Sequence, residues 1–280
     1  MTDGQKPKVS VIMGVYNCED TLAQSIESIL SQTYKNWELI ICDDASTDRT
    51  YEIARQYAEH YSDKIKLIRN EENKRLAASL NHCLQYTEGK YIARQDGDDI
   101  SLARRFEKQV AFLESQSHYQ VVGSGMIAFD EEGVRGVRMM PPSPGPRMMA
   151  KGTPFCHATI MMRAEVYHAL KGYRVGRRTR RMEDIDLWLR FFEAGYRGYN
   201  LQEALYKVRE DKSAFKRRKF SYSIDNACIV FAACRRLKLP LSDYVYTMKP
   251  IIRGLMPPFV MNKYHKKRLM NEGGGVVKHE

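Results

Sequence analysis

Through its first 115 residues the chain alternates apolar runs with stretches of helical period. Val9-Ser10-Val11-Ile12-Met13 is apolar, β-branched and closed by Gly14. Leu22, Ile26, Ile29 and Leu30 then recur at helical spacing and predict a helix over residues 21–32. Trp37-Glu38-Leu39-Ile40-Ile41-Cys42 predicts a second strand, ending in Asp43-Asp44. Ser46-Thr47-Asp48 has the composition of a helix cap and predicts a helix over residues 50–61. Ile65-Lys66-Leu67-Ile68 is a third strand, residues 76–86 a third helix, and Tyr91-Ile92-Ala93-Arg94 a short fourth strand. A fourth helix is expected over residues 102–115. Repeated strand–helix units of this length predict an α/β fold, a parallel sheet between layers of helices. In such sheets ligands collect at the carboxyl ends of the strands. Gly14, Asp43, Asp44 and Asp96 all fall at those ends.

The pattern changes after Val121-Val122-Gly123-Ser124-Gly125. Residues 139–146 are rich in proline and predict a loop, since proline lacks the N–H that helix and strand interiors need. His157-Ala158-Thr159-Ile160-Met161-Met162 reads as a strand. Ile185, Leu187, Trp188, Leu189 and Phe192 mark a helix over residues 183–194. Lys216-Arg217-Arg218-Lys219 opens a predicted helix reaching residue 238, and the chain beyond Pro240 is apolar, aromatic and basic before a glycine-rich tail. The expected organisation is a catalytic domain over residues 1–212 and a helical, basic extension over 213–280. Within the domain, residues 8–100 form a nucleotide-binding half and 101–212 an acceptor half.

Composition narrows the classes. Hydrophobic residues at 43% and charged residues at 28% are ordinary globular usage, which excludes a disordered chain. Lys and Arg total 45 against 34 acids, a formal charge of +11 that suits a polyanionic partner (anionic lipid, nucleic acid or phosphorylated substrate) or simply a soluble basic surface. The six cysteines include no CxxC pair, so reduced thiols are expected rather than a zinc site or a disulfide framework. The first eight residues lack a signal-peptide core, and no apolar stretch is long enough to span a bilayer. A cytoplasmic location, peripheral at the inner face of the cell membrane, is the expectation.

Two acid clusters carry the chemistry. In Asp96-Gly97-Asp98-Asp99 a short D-x-D turn can bring carboxylates together, and Mg²⁺ or Mn²⁺ prefers one or two carboxylates plus substrate phosphates. Asp98 is the first-choice metal ligand. Asp96 has two candidate roles, the metal or a ribose, and Asp99 assists. Asp43-Asp44 offers acceptors that suit an imide N–H such as that of uracil, or an Asx turn. Tyr16 and Asn17 follow the first strand, where an aromatic ring can pack on a base. Glu183-Asp184 opens a helix; Asp184 is the candidate general base for an acceptor hydroxyl, and Asp186 complements the helix dipole. His157 is a structural histidine or a contact to diphosphate or metal. Arg75 is a candidate phosphate ligand, whereas most of Arg174, Arg177, Arg178, Arg180 and Arg181 reads as solvated surface.

These motifs, in this order, resemble family 2 glycosyltransferases: residues 9–17, Asp43-Asp44-Ala45-Ser46-Thr47-Asp48, Asp96-Gly97-Asp98-Asp99 and Glu183-Asp184-Ile185-Asp186-Leu187-Trp188. The resemblance covers about three-quarters of the chain, more than one motif. It implies the GT-A fold, a mixed, mostly parallel sheet flanked by helices, with a UDP-sugar donor, a divalent metal and inversion at the anomeric carbon. By the same resemblance Asp44 contacts uracil, Asp96 and Asp98 are the D-x-D pair, and Asp184 is the base. It also implies exopolysaccharide synthesis on a lipid-linked saccharide acceptor, a flagellar rotor protein as a second partner, and no nucleic acid. Gly14 stands where proline is common, and Arg75 where glycine is common. The Q-x-x-R-W motif of processive members is absent, so one sugar per encounter is expected.

Other readings were weighed. A nucleotidyltransferase would want a glycine-rich, basic loop after the first strand, and Gly14-Val15-Tyr16-Asn17-Cys18 is not one. An interaction protein with a vestigial site is at odds with the intact acids. The C-terminal segment, with Tyr244, Tyr246, Ile251, Ile252, Leu255, Met256, Phe259 and Val260 among basic residues, either meets a membrane or packs on the catalytic domain.

Overall fold

The computed structural model describes residues 6–177, 179–210 and 220–256. Its first half is the predicted alternation: β1 (Val9–Val15), α1 (Leu22–Leu30), β2 (Trp37–Asp43), α2 (Thr50–His60), β3 (Ile65–Arg69), α3 (Leu76–Leu84) and β4 (Tyr91–Arg94). The strands lie in the order β3-β2-β1-β4, all parallel, with Val9 opposite both Trp37 and Tyr91. Side chains alternate across a strand, and this sheet is covered on both faces. Val9, Val11 and Met13 pack with Leu22, Ile26 and Ile29 of α1. Ile12, Ile40 and Cys42 pack the other way, against Leu80 and Cys83 of α3. Continuous apolar strands follow directly from that double burial.

The second half comprises β5 (Ile100–Ser101), α4 (Arg105–Ser115), β6 (Val121–Asp130), β7 (Gly133–Arg138), α5 (Met148–Lys151), β8 (Met161–Arg163), α6 (Ala164–Ala169), α7 (Glu183–Glu193) and β9 (Gly198–Arg209). It extends the sheet from β4 through β8, β6 and β9 to β5. Here the sheet becomes mixed: β8 is antiparallel to β4 and β6, whereas β6 and β9 are parallel. The strand expected at residues 157–162 is shorter. His157–Thr159 is one turn of 3₁₀ helix and only Met161–Arg163 pairs. Thr159 explains this locally: its hydroxyl donates to the Cys156 carbonyl at 2.8 Å and accepts from the Ser124 N–H at 3.1 Å, closing a turn. The start of α2 also differs. Asp48 alone receives the Thr50 N–H, at 3.0 Å, while Ser46 and Thr47 bond to Asn17.

The C-terminal portion contains α8 (Phe220–Arg236) and α9 (Met248–Leu255). The expected boundary at residues 212/213 and the run Lys216–Lys219 lie outside the described residues. Ala233 of α8 joins the large core behind the sheet, and Val230, Cys234 and Leu239 close a small core around Ala150. Arg147 pairs both oxygens of Asp243, at 2.8 and 2.9 Å, and Arg236 pairs Glu193. So α8 is docked on the preceding α/β portion of the chain. In contrast, α9 buries no residue fully, and its Met248, Ile252 and Leu255 are exposed. No helix among the described residues is long and apolar enough to cross a membrane. Cys42, Cys83 and Cys234 are buried as expected, whereas Cys228 is exposed; all six cysteines are free.

Candidate active site

The carboxyl ends of β1, β2 and β4 form one wall, and the D-x-D turn leaves directly from β4. Gly97 is needed there: a Cβ would come within 2.9 Å of Val15 Cγ1 and 3.1 Å of Cys18 Sγ. The turn is pinned from α1. Thr21 donates its hydroxyl to the Gly97 carbonyl at 3.0 Å, and Ser25 donates to the Asp96 carbonyl at 2.8 Å. Buried Gln95 donates to the Asp99 carbonyl at 3.0 Å. Thr21 and Ser25 did not stand out in the sequence, because polar residues on an amphipathic helix look like solvated surface, and Gln95, in the turn after β4, was overshadowed by the acids that follow it.

The acids of the turn point to different places. Asp96 is gripped by Arg94, whose Nε lies 2.9 Å from Oδ1 and Nη2 3.1 Å from Oδ2. Asp99 is buried: it accepts the Arg209 N–H at 2.8 Å and bonds the Tyr206 hydroxyl, which also accepts the Asp96 N–H at 3.1 Å. Asp98 is the most open of the three to solvent, and Asp96 is partly open. Desolvation by the surrounding protein, and then repulsion by Asp96, raise the pKa of Asp98. The same causes, with Asp98 added, push Asp99 well above the usual carboxylate range. Among the described residues no three or more His, Cys, Asp or Glu side chains cluster as a self-sufficient metal site. The donor set nevertheless fits a hard divalent cation: Asp98 is an accessible carboxylate whose charge such an ion would relieve, with Asp96 beside it.

Across from the turn, Glu183 and Asp184 occupy the first turn of α7. Burial raises both pKa values, and the charge of Arg94 opposes the rise at each. Arg94, 7% exposed, is thus a guanidinium whose charge reaches both acid clusters. Asp186 faces away and holds Arg190 at 2.7 Å and Arg174 at 3.2 Å. Arg105 braces the floor without a carboxylate partner, donating to Ser101 Oγ at 2.7 Å and the Arg94 carbonyl at 2.8 Å. Burial pushes its pKa down to about 10, so it remains charged at neutral pH.

The nucleotide-side candidates are also brought together. Tyr16 is exposed beside the end of β1, and Asn17, at φ 49°, ties this loop to Thr47 at 2.9 Å. Asp43 is wholly buried, accepting from Ser46 N–H at 3.2 Å and Arg69 Nε at 3.0 Å, and its Oδ1 has no partner among the described residues. Asp44 accepts three bonds from the chain itself: Asn70 Nδ2 at 2.7 Å, Lys74 N–H at 2.9 Å and Arg75 N–H at 2.7 Å. It therefore anchors the loop before α3, where Arg75 adopts φ 74°, ψ 164°. That is backbone territory of glycine, the residue the resemblance leads one to expect there. Gly14 lets α3 approach, since a Cβ would meet Leu76 Cδ1 at 3.1 Å. His157 is buried between rings: Nε2 lies 2.9 Å from the Tyr173 hydroxyl, and Trp188 meets it edge-on at 5.1 Å. Burial, and then Arg94, hold it well below its usual pKa, so the imidazole is neutral at neutral pH.

The chain is similar to known glycosyltransferases. The family model described as "Glycosyl transferase family 2" matches residues 10–170. The Bacillus subtilis protein named as glycosyltransferase EpsE is 75% identical over 274 residues, covering 98% of this chain and 99% of that one. The Escherichia coli UDP-Glc:alpha-D-GlcNAc-diphosphoundecaprenol beta-1,3-glucosyltransferase WfaP is 34% identical over 203 residues, 71% of this chain and 77% of its own. Among solved structures, S. aureus TarS 1-349 in complex with UDP superposes with a TM-score of 0.66 at 17% identity, over 92% of this chain and 78% of that chain, which bears on the fold.

Proposed function

The chain belongs to glycosyl transferase family 2, and from that premise we propose that it transfers one sugar per encounter from a UDP-sugar to a lipid-linked saccharide in exopolysaccharide synthesis, with inversion. The observation that carries this reading is the meeting of two acid clusters on Arg94, which pairs with Asp96 at 2.9 Å on the D-x-D turn and whose charge acts on Asp98 there and on Glu183 and Asp184 at the start of α7. Tyr16 packs on the base, and Asp43 and Asp44 shape its pocket. Asp98, with Asp96 beside it, would hold a Mg²⁺ or Mn²⁺ ion. When bound, that ion neutralises the diphosphate as it leaves. Arg75 reaches the diphosphate from the loop held by Asp44, and His157 backs the site as a neutral donor or acceptor. Asp184 accepts the proton of the acceptor hydroxyl. The hydroxyl oxygen bonds to the anomeric carbon while the bond from that carbon to the diphosphate oxygen breaks, and the electron pair departs with the diphosphate. One displacement inverts the centre, so no carboxylate nucleophile is required.

The acceptor's lipid is supported by the name of the E. coli relative and by the C-terminal portion. Large exposed apolar side chains before residue 220 are only Tyr16, Tyr86, Val134 and Val175 among the described residues, whereas Leu241, Val245, Ile252 and Leu255 crowd the end. An apolar stripe beside lysines and arginines suits a peripheral helix at an anionic bilayer. The test is a panel of nucleotide-sugars in thermal unfolding with Mn²⁺, followed by turnover. A UDP-sugar should raise the midpoint only when metal is present, because a ligand that binds only the folded state stabilises it. Stabilisation by GDP-sugars alone, or equal stabilisation without metal, would overturn the donor assignment.

A further inference from the structure

A cavity of about 420 Å³ lies apart from the acid clusters, between α5, the start of α7, α8 and α9. That size is within the usual range for a small-ligand site. Its charged lining consists of Lys151, Arg181, Lys249 and Arg253, and no acid lines it among the described residues. These cations are set in place. Arg181 lies over the Tyr222 ring at 5.7 Å, Lys151 over Tyr246 at 5.9 Å, and Lys249 Nζ donates to the Lys151 carbonyl at 2.7 Å. Arg181 holds a left-handed backbone, φ 61°, which a non-glycine residue adopts at a penalty. The acid nearest in charge to Lys151, Asp243, is gripped by Arg147 instead. Four like charges converge on one space, an arrangement that favours a multiply charged anion.

Two borders identify that anion. On one side the cavity is walled by Arg181, Met182 and Ile185, which flank Asp184. On the other, α9 presents Lys249 and Arg253 inward at i,i+4 spacing, while Met248, Ile252 and Leu255 form an exposed stripe. Base, cations and apolar stripe thus follow one another in space. Sugar hydroxyl, diphosphate and hydrocarbon follow one another in a lipid-linked saccharide. We propose that this cavity binds the diphosphate of the acceptor, fixing its sugar toward Asp184 and its lipid along α9. The inference rests on the transfer reading given above and deepens it by assigning the acceptor's anchor to residues of the C-terminal helices.

Geranyl diphosphate is the probe, titrated into the full-length protein with and without saturating UDP and Mn²⁺, beside geranyl monophosphate and phosphatidylglycerol vesicles. It should bind in the presence of UDP, more tightly than the monophosphate. The Lys249→Gln/Arg253→Gln double variant should lose affinity on the order of tenfold or more, since each charge-assisted bond is a substantial share of a small ligand's binding. Arg181→Gln, on a different element, should weaken it in the same direction, and UDP affinity measured alongside reports that the fold survives. Displacement of geranyl diphosphate by UDP, undiminished binding in both variants, or a loss confined to phosphatidylglycerol vesicles would each overturn the proposal. Geranyl diphosphate binding that behaves as expected in a protein that turns over no UDP-sugar would support the cavity and sink the transfer reading alone.

Discussion

Arg94→Met should unsettle both stability and the pH dependence of transfer, and the two effects have separate origins. Arg94 is 7% exposed and makes two parallel bonds to Asp96 at 2.9 and 3.1 Å. Methionine preserves much of the volume but leaves a carboxylate without its partner beside Asp98 and Asp99. Breaking a fully buried pair by removing one member costs about 3–5 kcal/mol. Asp96 retains 26% side-chain exposure, so water recovers part of this, and a loss of about 2–3 kcal/mol is expected. The second effect is electrostatic. Arg94 opposes the burial-driven rise in the pKa of Asp184 and Glu183. Without it the base holds its proton to higher pH, so the acidic limb of the rate profile should move up. Arg94→Lys separates the two, because it keeps the charge and gives up the planar fork. It should lose stability yet keep the pH profile closer to that of the unchanged protein. Urea unfolding followed by circular dichroism reads the first effect, and initial transfer rates across pH read the second. A stability loss below about 1 kcal/mol together with an unmoved acidic limb in Arg94→Met would refute this account of the site.

Asp98→Asn should abolish metal-dependent UDP binding in calorimetry while leaving the unfolding midpoint near its original value, since the ionised carboxyl is already disfavoured where it sits. Asp184→Asn should keep UDP affinity and slow the chemical step on the order of a hundredfold or more, read by single-turnover transfer; a normal rate would assign the base elsewhere. Arg75→Gly should relieve the strained backbone and stabilise the fold by about 1 kcal/mol, after allowance for glycine's greater unfolded entropy, while weakening UDP binding through loss of the guanidinium. In vesicle sedimentation, Ile252→Asn/Leu255→Asn should pellet less with anionic lipid than the unchanged protein at low salt; equal pelleting would remove α9 as the contact.

The order of strands and helices in the first half was legible because β1 and β2 are buried on both faces, and their apolar runs are unbroken. The second half was less so. β6 mixes glycine and serine among its apolar residues, and its pairing with β9 joins segments far apart in sequence, which no local period encodes. The acids could be found because carboxylates are rare at strand ends without a use. Their individual assignments could not. Asp99 sits one residue from Asp98, yet it is turned inward by Arg209 and Tyr206, residues contributed by the last strand of the sheet. Asp44 likewise reads as a ligand for a base, and only the fold reveals that it also accepts from Asn70, Lys74 and Arg75. Arg94 and Arg105 read as ordinary basic residues, since nothing local distinguishes a buried arginine from a solvated one.

The electrostatics of the acid clusters and of the basic cavity are opposite, and that difference bears on the order of events. Asp98, Asp99, Glu183 and Asp184 all have carboxyl pKa values raised by burial, so the fold resists ionising them together. Arg94 and Arg105 compensate only in part. On the proposed reading, a nucleotide diphosphate approaching this wall would meet repulsion until a divalent cation is present, so donor binding is expected to depend on the cation. The dependence falls as pH drops through the raised carboxyl range, because protonated acids neither repel the diphosphate nor hold the metal. The cavity lined by Lys151, Arg181, Lys249 and Arg253 needs no such ion to receive an anion. The two substrates of a transfer reaction can then be admitted on different terms, the donor with metal and the acceptor without it. Met182 and Ile185, which flank Asp184 in sequence, line that cavity, so the helix that carries the proposed base borders it.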